Sequence, residues 1–271
     1  MKTERLGRLY HTLLFSAGVV LGGRLHVTAL GHALRTAKGH WALVSSALFE
    51  EFRFWEYHFP ELNGIPMRPL PLLGLLISAT DFRCDACLVG YGIFFCGDSY
   101  YGVWTEDELA CFASFRGPNG EEAPIIALME LYTQVRAKLL LAEAMAGCTV
   151  NQGCDNQNVC AWDNAGKPKL RGASGMCKTL FWIGRYFQCP LRRLVYVPTT
   201  ENCIADALSR FLKEASARDD WLRVVKEWGR LNPAYTTSLE PVLLPPLLRD
   251  DGGPCLLIDE RDRVHLKSTI E

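Results

Sequence analysis

Between Leu72 and Leu212 the spacing of apolar residues changes period several times, and this alternation leaves few architectures open. The apolar run Leu72 to Ala79 and the segments Tyr91 to Cys96 and Tyr100 to Trp104 read as strands, with Gly97-Asp98 as a hairpin turn between the last two. A helix is expected over 123–146, opened by Pro124 and closed by Gly147, with Ile126, Met129, Thr133 and Ala137 on one face. Thr149 to Cys154 reads as a fourth strand, 173–188 as an aromatic helix, and Leu194 to Val197 as a fifth strand stopped by Pro198. Thr200 or Asn202 then caps a helix carrying Ile204 to Leu212. Early hairpins followed by strands separated by helices predict an α/β fold, one mixed sheet with helices on its faces.

The flanks read differently. Residues 5–63 show three- and four-residue apolar steps, with Leu43, Ala47, Leu48, Phe52 and Trp55 in one stripe. Asn63-Gly64 and then Pro66, Pro69 and Pro71 break that pattern. Residues 219–230 form a further amphipathic helix, and beyond Pro233 the Pro- and Asp-rich chain reads as a loose tail. Three parts follow: a small helical segment over 1–65, an α/β domain over 66–213, and a C-terminal helix and tail over 214–271.

The chain carries 29 Lys and Arg against 30 Asp and Glu, so its net charge of −1 gives no global case for a polyanionic partner. The distribution is more informative than the mean. Residues 164–200 hold seven basic side chains (Lys167, Lys169, Arg171, Lys178, Arg185, Arg192, Arg193) and no acidic one. The eleven cysteines show no framework spacing, and Cys84/Cys87, the one C-x-x-C, lacks a second pair of ligands nearby. Reduced, mostly buried thiols are expected. Lys2, Arg5 and Arg8 precede an apolar run from Leu13 to Gly23 that is too short to span a bilayer. The reading favours an intracellular chain, cytoplasmic or nuclear, over a secreted or membrane-bound one.

Four carboxylates fall where the predicted elements would bring them together: Asp85 on or just after the first strand, Glu130 near the apolar face of the first domain helix, Asp155 after the fourth strand, and Asp206 on the helix after the fifth. Carboxylates on packed faces are unfavourable unless a cation compensates them. Hard divalent ions take oxygen ligands, and this set could hold two Mg²⁺ or Mn²⁺. Residues 66–264 contain no histidine, which argues against a Ser-His-Asp hydrolase or a histidine-based nuclease there.

The words around these carboxylates are similar to those of a known family. Asp85-Ala86-Cys87-Leu88-Val89-Gly90-Tyr91-Gly92 resembles the D-A-S-x-x-G-x-G opening of the ribonuclease H domain of retrotransposon reverse transcriptases. Met129-Glu130-Leu131 resembles its K-E-L helix, and Asp155-Asn156-Gln157-Asn158-Val159 its D-N-x-x-V. Val197-Pro198-Thr199-Thr200-Glu201-Asn202, continuing to Ala205-Asp206-Ala207-Leu208-Ser209-Arg210, is similar to V-P-G-x-x-N…A-D-A-L-S-R. The likeness covers about 70–213. More faintly, 1–65 resembles the connection region of DIRS- and Ngaro-like elements, through Phe52-Arg53-Phe54-Trp55 and Leu62-Asn63-Gly64.

The resemblance implies a ribonuclease H-like fold with a five-stranded mixed sheet, two Mg²⁺ or Mn²⁺ ions, and cleavage of the RNA strand of RNA–DNA hybrids. It assigns metal binding and catalysis to Asp85, Glu130, Asp155 and Asp206, with Asp81 a rival for the first position. Hybrid contacts are expected from Asn156, Lys167, Lys169, Arg171, Lys178 and Arg210, since Lys and Arg supply sequence-independent phosphate affinity and A-form-like duplexes are read by shape. The polymerase region of a larger polyprotein is the implied partner, and polymerase activity is not expected of this chain, which has no Tyr-x-Asp-Asp. Departures from the pattern are Cys87 and Thr199 for Ser and Gly, and Tyr196 where the family often has His. Two rival readings remain at this stage, a catalytically silent hybrid-binding module and a DNA-cutting integrase- or transposase-like nuclease.

Overall fold

The computed structural model describes residues 1–64, 75–115, 124–166, 168 and 170–246. The N-terminal part is helical: α1 (Thr3–Ser16), a 3-10 turn (Gly23–His26), α2 (Thr28–Arg35), α3 (Ser46–Arg53), a π turn (Phe54–His58) and α4 (Phe59–Leu62). Ser45 caps α3 by accepting from the Leu48 amide at 3.2 Å. Two small apolar clusters, one around Leu6, Leu30 and Leu48 and one around Val20, Phe54 and Trp55, hold these helices together. The second cluster continues into Phe181 and Trp182 of the aromatic helix.

The sheet contains β1 (Leu76–Ile77), β2 (Phe82–Ala86), β3 (Gly90–Phe95) and β4 (Asp98–Val103). After α5 (Glu106–Ser114) and α6 (Ile125–Leu140) come β5 (Thr149–Cys154), α7 (Gln157–Ala165), α8 (Arg171–Tyr186) and β6 (Leu191–Tyr196). The described chain ends with α9 (Cys203–Ser209), α10 (Ala215–Leu231) and β7 (Val242–Leu243). Strands β2, β3 and β4 form an antiparallel meander, while β5 runs parallel to β2 and β6 parallel to β5. Val150 pairs with Ile77 on one side and Leu191 on the other, so β1 and β6 border opposite edges of β5. The architecture is therefore α/β, a mixed sheet of seven strands flanked by helices rather than the expected five. The additional strands, β1 and β7, are two residues each.

Strand β3 separates the two faces. Tyr91, Ile93 and Phe95 point into the main core with Leu128, Leu131 and Tyr132 of α6, as the period of two requires. Phe94 points the other way, into a cluster with Ile204 and Leu208 of α9 and Trp221, Val225 and Trp228 of α10. Gly92 allows α9 to lie directly on the sheet: a Cβ there would collide with the Ala205 carbonyl oxygen and Leu208.

Three expectations need correction. The apolar run at 72–79 yields only the short β1, with 72–74 outside the described residues; the strand that carries Asp85 is β2, whose buried Cys84 and Asp85 break any apolar signature. Helices α5 and α7 were not anticipated, although Thr105 and Glu108 form a capping box and Asn156 caps α7. The segment after Pro233 is anchored as far as Pro245, with the Ser238 amide donating to Gly97 O at 3.0 Å and the Leu244 amide to Tyr101 O at 2.7 Å. Arg136, stacked 4.6 Å over the Tyr91 ring, also donates to Pro245 O. The remainder of the expected tail, 247–271, lies outside the described residues. Among the described residues, no helix is long and apolar enough to cross a membrane, and ten cysteines are free thiols.

Candidate metal and nucleic-acid site

The register of β2 on β5 pairs Arg83 with Gly153. Two residues further along each parallel strand stand Asp85 and Asp155, so the pairing itself sets these carboxylates side by side at the carboxyl end of the sheet. Glu130 arrives from α6, which crosses β2, and the Ala86 backbone amide favours its charged form. Asp206 arrives from α9, which packs on β2 and β3. The four sequence-predicted carboxylates therefore converge from four different elements.

Buried amides tie those elements together just behind the cluster. Gln134, one turn after Glu130, donates to Gly153 O at 3.3 Å; Gln152 donates to Gln134 O at 3.1 Å and to Cys84 Sγ at 3.4 Å. Asn202, one turn before Asp206, donates to Cys84 O at 3.1 Å. Each link joins two of the elements that present a carboxylate. All three amides are fully buried; each donates across these elements, while its side-chain oxygen has no hydrogen-bond partner.

Electrostatically the cluster is frustrated. Asp85 is 3% exposed, and burial, followed by the Asp155 and Asp206 charges, pushes its carboxyl up to about 8, against the pull of the Ser209 hydroxyl and Arg210. Burial, Asp85 and Asp155 likewise raise Glu130 well above the usual carboxylate range. Glu130 Oε2 is buried with no hydrogen-bond partner. Burial also raises Asp206, opposed by its ion pair with Arg210. Asp155 is less enclosed and accepts from Thr199 Oγ1 at 3.0 Å.

Glu130's orphaned carboxylate oxygen beside Asp85 and Asp155 is a donor that a hard divalent cation would complete. Glu130, Cys154 and Asp155 place their ligand atoms within 4.8 Å of one another. Cys154 does not suit such an ion: its hydrogen bond with Cys160 and its burial raise the thiol well above its ordinary value, so it remains a protonated, soft group. Glu130 and Asp155 suit such an ion by chemistry and spacing; Asp85 and Asp206 stand beside them without joining that 4.8 Å group, and Cys154 is packing.

Asp81, the rival for the first position, lies before β2, at the strand end away from the cluster. Its carboxylate accepts from Ser78 Oγ at 3.1 Å and Thr80 Oγ1 at 3.3 Å within a turn. Of the residues expected to touch nucleic acid, Arg210 stands at the cluster, paired with Asp206. Asn156 stands next to Asp155, but its side-chain oxygen accepts from the Asn158 and Val159 amides as the cap of α7. Lys178 is the clear correction. It is buried, and its ammonium lies 3.6 Å from Glu51, so it faces the N-terminal helices and not solvent. Lys167 and Lys169 lie outside the described residues, and Arg171 opens α8. Tyr196 ends β6 with 44% of its surface exposed.

Sequence reasoning did not anticipate Thr199 beside Asp155, nor Ser209, whose hydroxyl donates to Asp206 O at 2.9 Å and favours the charged form of Asp85. The three-residue step from Asp206 to Ser209 was a legible signal, since it puts both on one helix face. Thr199 had no such signal, because its contact depends on how the loop after β6 folds back. No family model, curated protein or solved structure matches this chain.

Proposed function

We propose that this chain is a metal-dependent nuclease of ribonuclease H type, cutting the RNA strand of RNA–DNA hybrids within a retroelement reverse transcriptase. The observation that carries this reading is the buried, unpartnered Glu130 Oε2 beside Asp85 and Asp155, with Asp206 acting in turn on Asp85. The strand order supports a ribonuclease H-like fold: an antiparallel meander of β4, β3 and β2, followed by parallel β5 and β6. The sequence words quoted above fall on the elements that bear the four carboxylates.

Two divalent cations held by such a set would activate a water and would stabilise the leaving oxygen of a phosphodiester. The chain's own contribution is placement. Thr199 orients Asp155 through its hydroxyl, and the Ala86 amide and the Ser209 hydroxyl favour the charged forms of Glu130 and Asp85. The donor contacts of the buried amides tie the four elements to one another.

The test is incubation of end-labelled RNA–DNA hybrid with the protein and Mg²⁺ or Mn²⁺, beside Asp155→Asn. Cleavage by the parent and background by the variant is the expected result; no cleavage by the parent, or equal cleavage by both, overturns the catalytic reading. A silent hybrid-binding module is the second reading, favoured by the exposed Tyr196 in place of the family's histidine. It would bind hybrid in a gel-shift assay and leave it intact.

A further inference from the structure

The cluster is not uniform. At one end, Glu130 carries an unpartnered buried oxygen, and the charges acting on it are those of other acidic or thiol groups. At the other end, Asp206 is already compensated by the Arg210 guanidinium, one helical turn away at the end of α9. The same guanidinium also acts on Asp85.

Two features mark this contact as provisional. The Asp206 and Arg210 side chains remain 26% and 38% exposed, and a pair within reach of water separates at small cost compared with a buried one. Arg210 Nε is buried with no hydrogen-bond partner, so the guanidinium leaves part of its donor fork unused. A planar fork beside carboxylates suits a phosphate oxygen at least as well as a single Asp oxygen.

Resting on the metal reading above, we propose that Arg210 is a displaceable counter-cation that holds Asp206 until the second of two divalent ions arrives. The first ion would take its ligands from Glu130 and Asp155, whose ligand atoms lie within 4.8 Å of each other, with Asp85 beside them, and would displace nothing. The second must take Asp206 from Arg210, and the freed guanidinium turns to a phosphate of the nucleic acid. Second-ion binding and phosphodiester binding then favour each other, and by linkage the coupling is reciprocal. Arg210 is in this sense a positioning residue that sets the order of loading.

The experiment is a Mn²⁺ titration of the full chain without nucleic acid, reading free Mn²⁺ by electron paramagnetic resonance. The parent, Arg210→Gln, Arg210→Lys and Asp155→Asn are compared. The parent is expected to bind one ion tightly and a second weakly. Arg210→Gln tightens the second constant by about fivefold, of the order set by a partly exposed charge-assisted contact, and leaves the first unchanged. Arg210→Lys, which keeps the charge, stays close to the parent. Two ions bound by the parent with both constants unchanged in Arg210→Gln would overturn the proposal and leave the metal reading standing. No Mn²⁺ bound by the parent, or Asp155→Asn binding as the parent does, would overturn the metal reading and this inference with it.

Discussion

The ammonium of Lys178 lies 3.6 Å from Oε1 of Glu51, and both side chains are removed from solvent. Glu51 also accepts from the Ala29 and Leu30 amides, each at 2.9 Å, and from Thr28 Oγ1 at 3.1 Å. A carboxylate from α3 thus caps the amino end of α2, where the helix dipole favours negative charge, while α8 supplies its counter-ion. The helical segment and the sheet-bearing part of the chain are joined through this buried charge.

Removing one member of a buried pair strands the other, so Lys178→Met should destabilise the fold by about 3 kcal/mol. Adding Glu51→Gln, which keeps a hydrogen-bond acceptor without the charge, should recover part of that loss. Urea unfolding of both single variants and the double variant gives the coupling. Strictly additive losses would mean that the two residues do not interact, and a loss of hybrid affinity in folded Lys178→Met would restore Lys178 to the nucleic-acid surface.

How much of this was legible in the sequence depended on the range of the contact. Strand β3 and helix α6 were readable because Tyr91 to Cys96 and Ile126 to Ala137 carry their own periodicity. Strand β2 was not, because Phe82-Arg83-Cys84-Asp85-Ala86 alternates apolar side chains with groups whose burial only the finished site explains. The four carboxylates stood out through the words around them, and the register of Arg83 on Gly153 gives a physical reason for the meeting of Asp85 and Asp155. Lys178 was misjudged as one of a basic run, since nothing local signals that its partner is Glu51. Burial decided its role, and burial is set by helices distant in the chain.

Metal-free protein should lose stability as pH rises. In the folded chain Asp85 is raised to about 8, whereas an unfolded aspartate titrates near about 4. Between those values the folded state holds a proton that the unfolded state has released, so unfolding becomes easier with increasing pH across the window. Glu130, raised in the same direction, adds to the slope. Urea midpoints measured in EDTA from pH 5 to 8 should fall for the parent and fall less for Asp85→Asn. Parallel profiles would count against a buried, proton-holding Asp85.

Thr199→Val removes the hydroxyl that meets Asp155 at 3.0 Å and preserves the side-chain shape. Asp155 stays partly solvated, so the fold should lose no more than about 1 kcal/mol. The orientation of the carboxylate is lost, and groups that orient a metal ligand typically contribute about tenfold or more to affinity. Mn²⁺ should therefore raise the melting temperature of Thr199→Val less than that of the parent at equal concentration. Equal shifts would reduce Thr199 to a surface contact.

Gly92→Ala tests whether close packing of α9 on the sheet sets the position of Asp206. The added methyl meets the Ala205 carbonyl oxygen, which is backbone and cannot rotate aside, together with the Leu208 side chain. Helix α9 must lift from β3, an overpacking cost of about 1–3 kcal/mol. Asp206 moves with it, whereas Asp85, Glu130 and Asp155 stand on β2, on α6 and at the end of β5. Asp206 is the carboxylate placed at the second-ion end, so the tight Mn²⁺ site should survive in Gly92→Ala while the weak one is lost. Loss of both sites in a protein that still unfolds cooperatively would show that the cluster moves as one body, and that α9 does not position Asp206 separately.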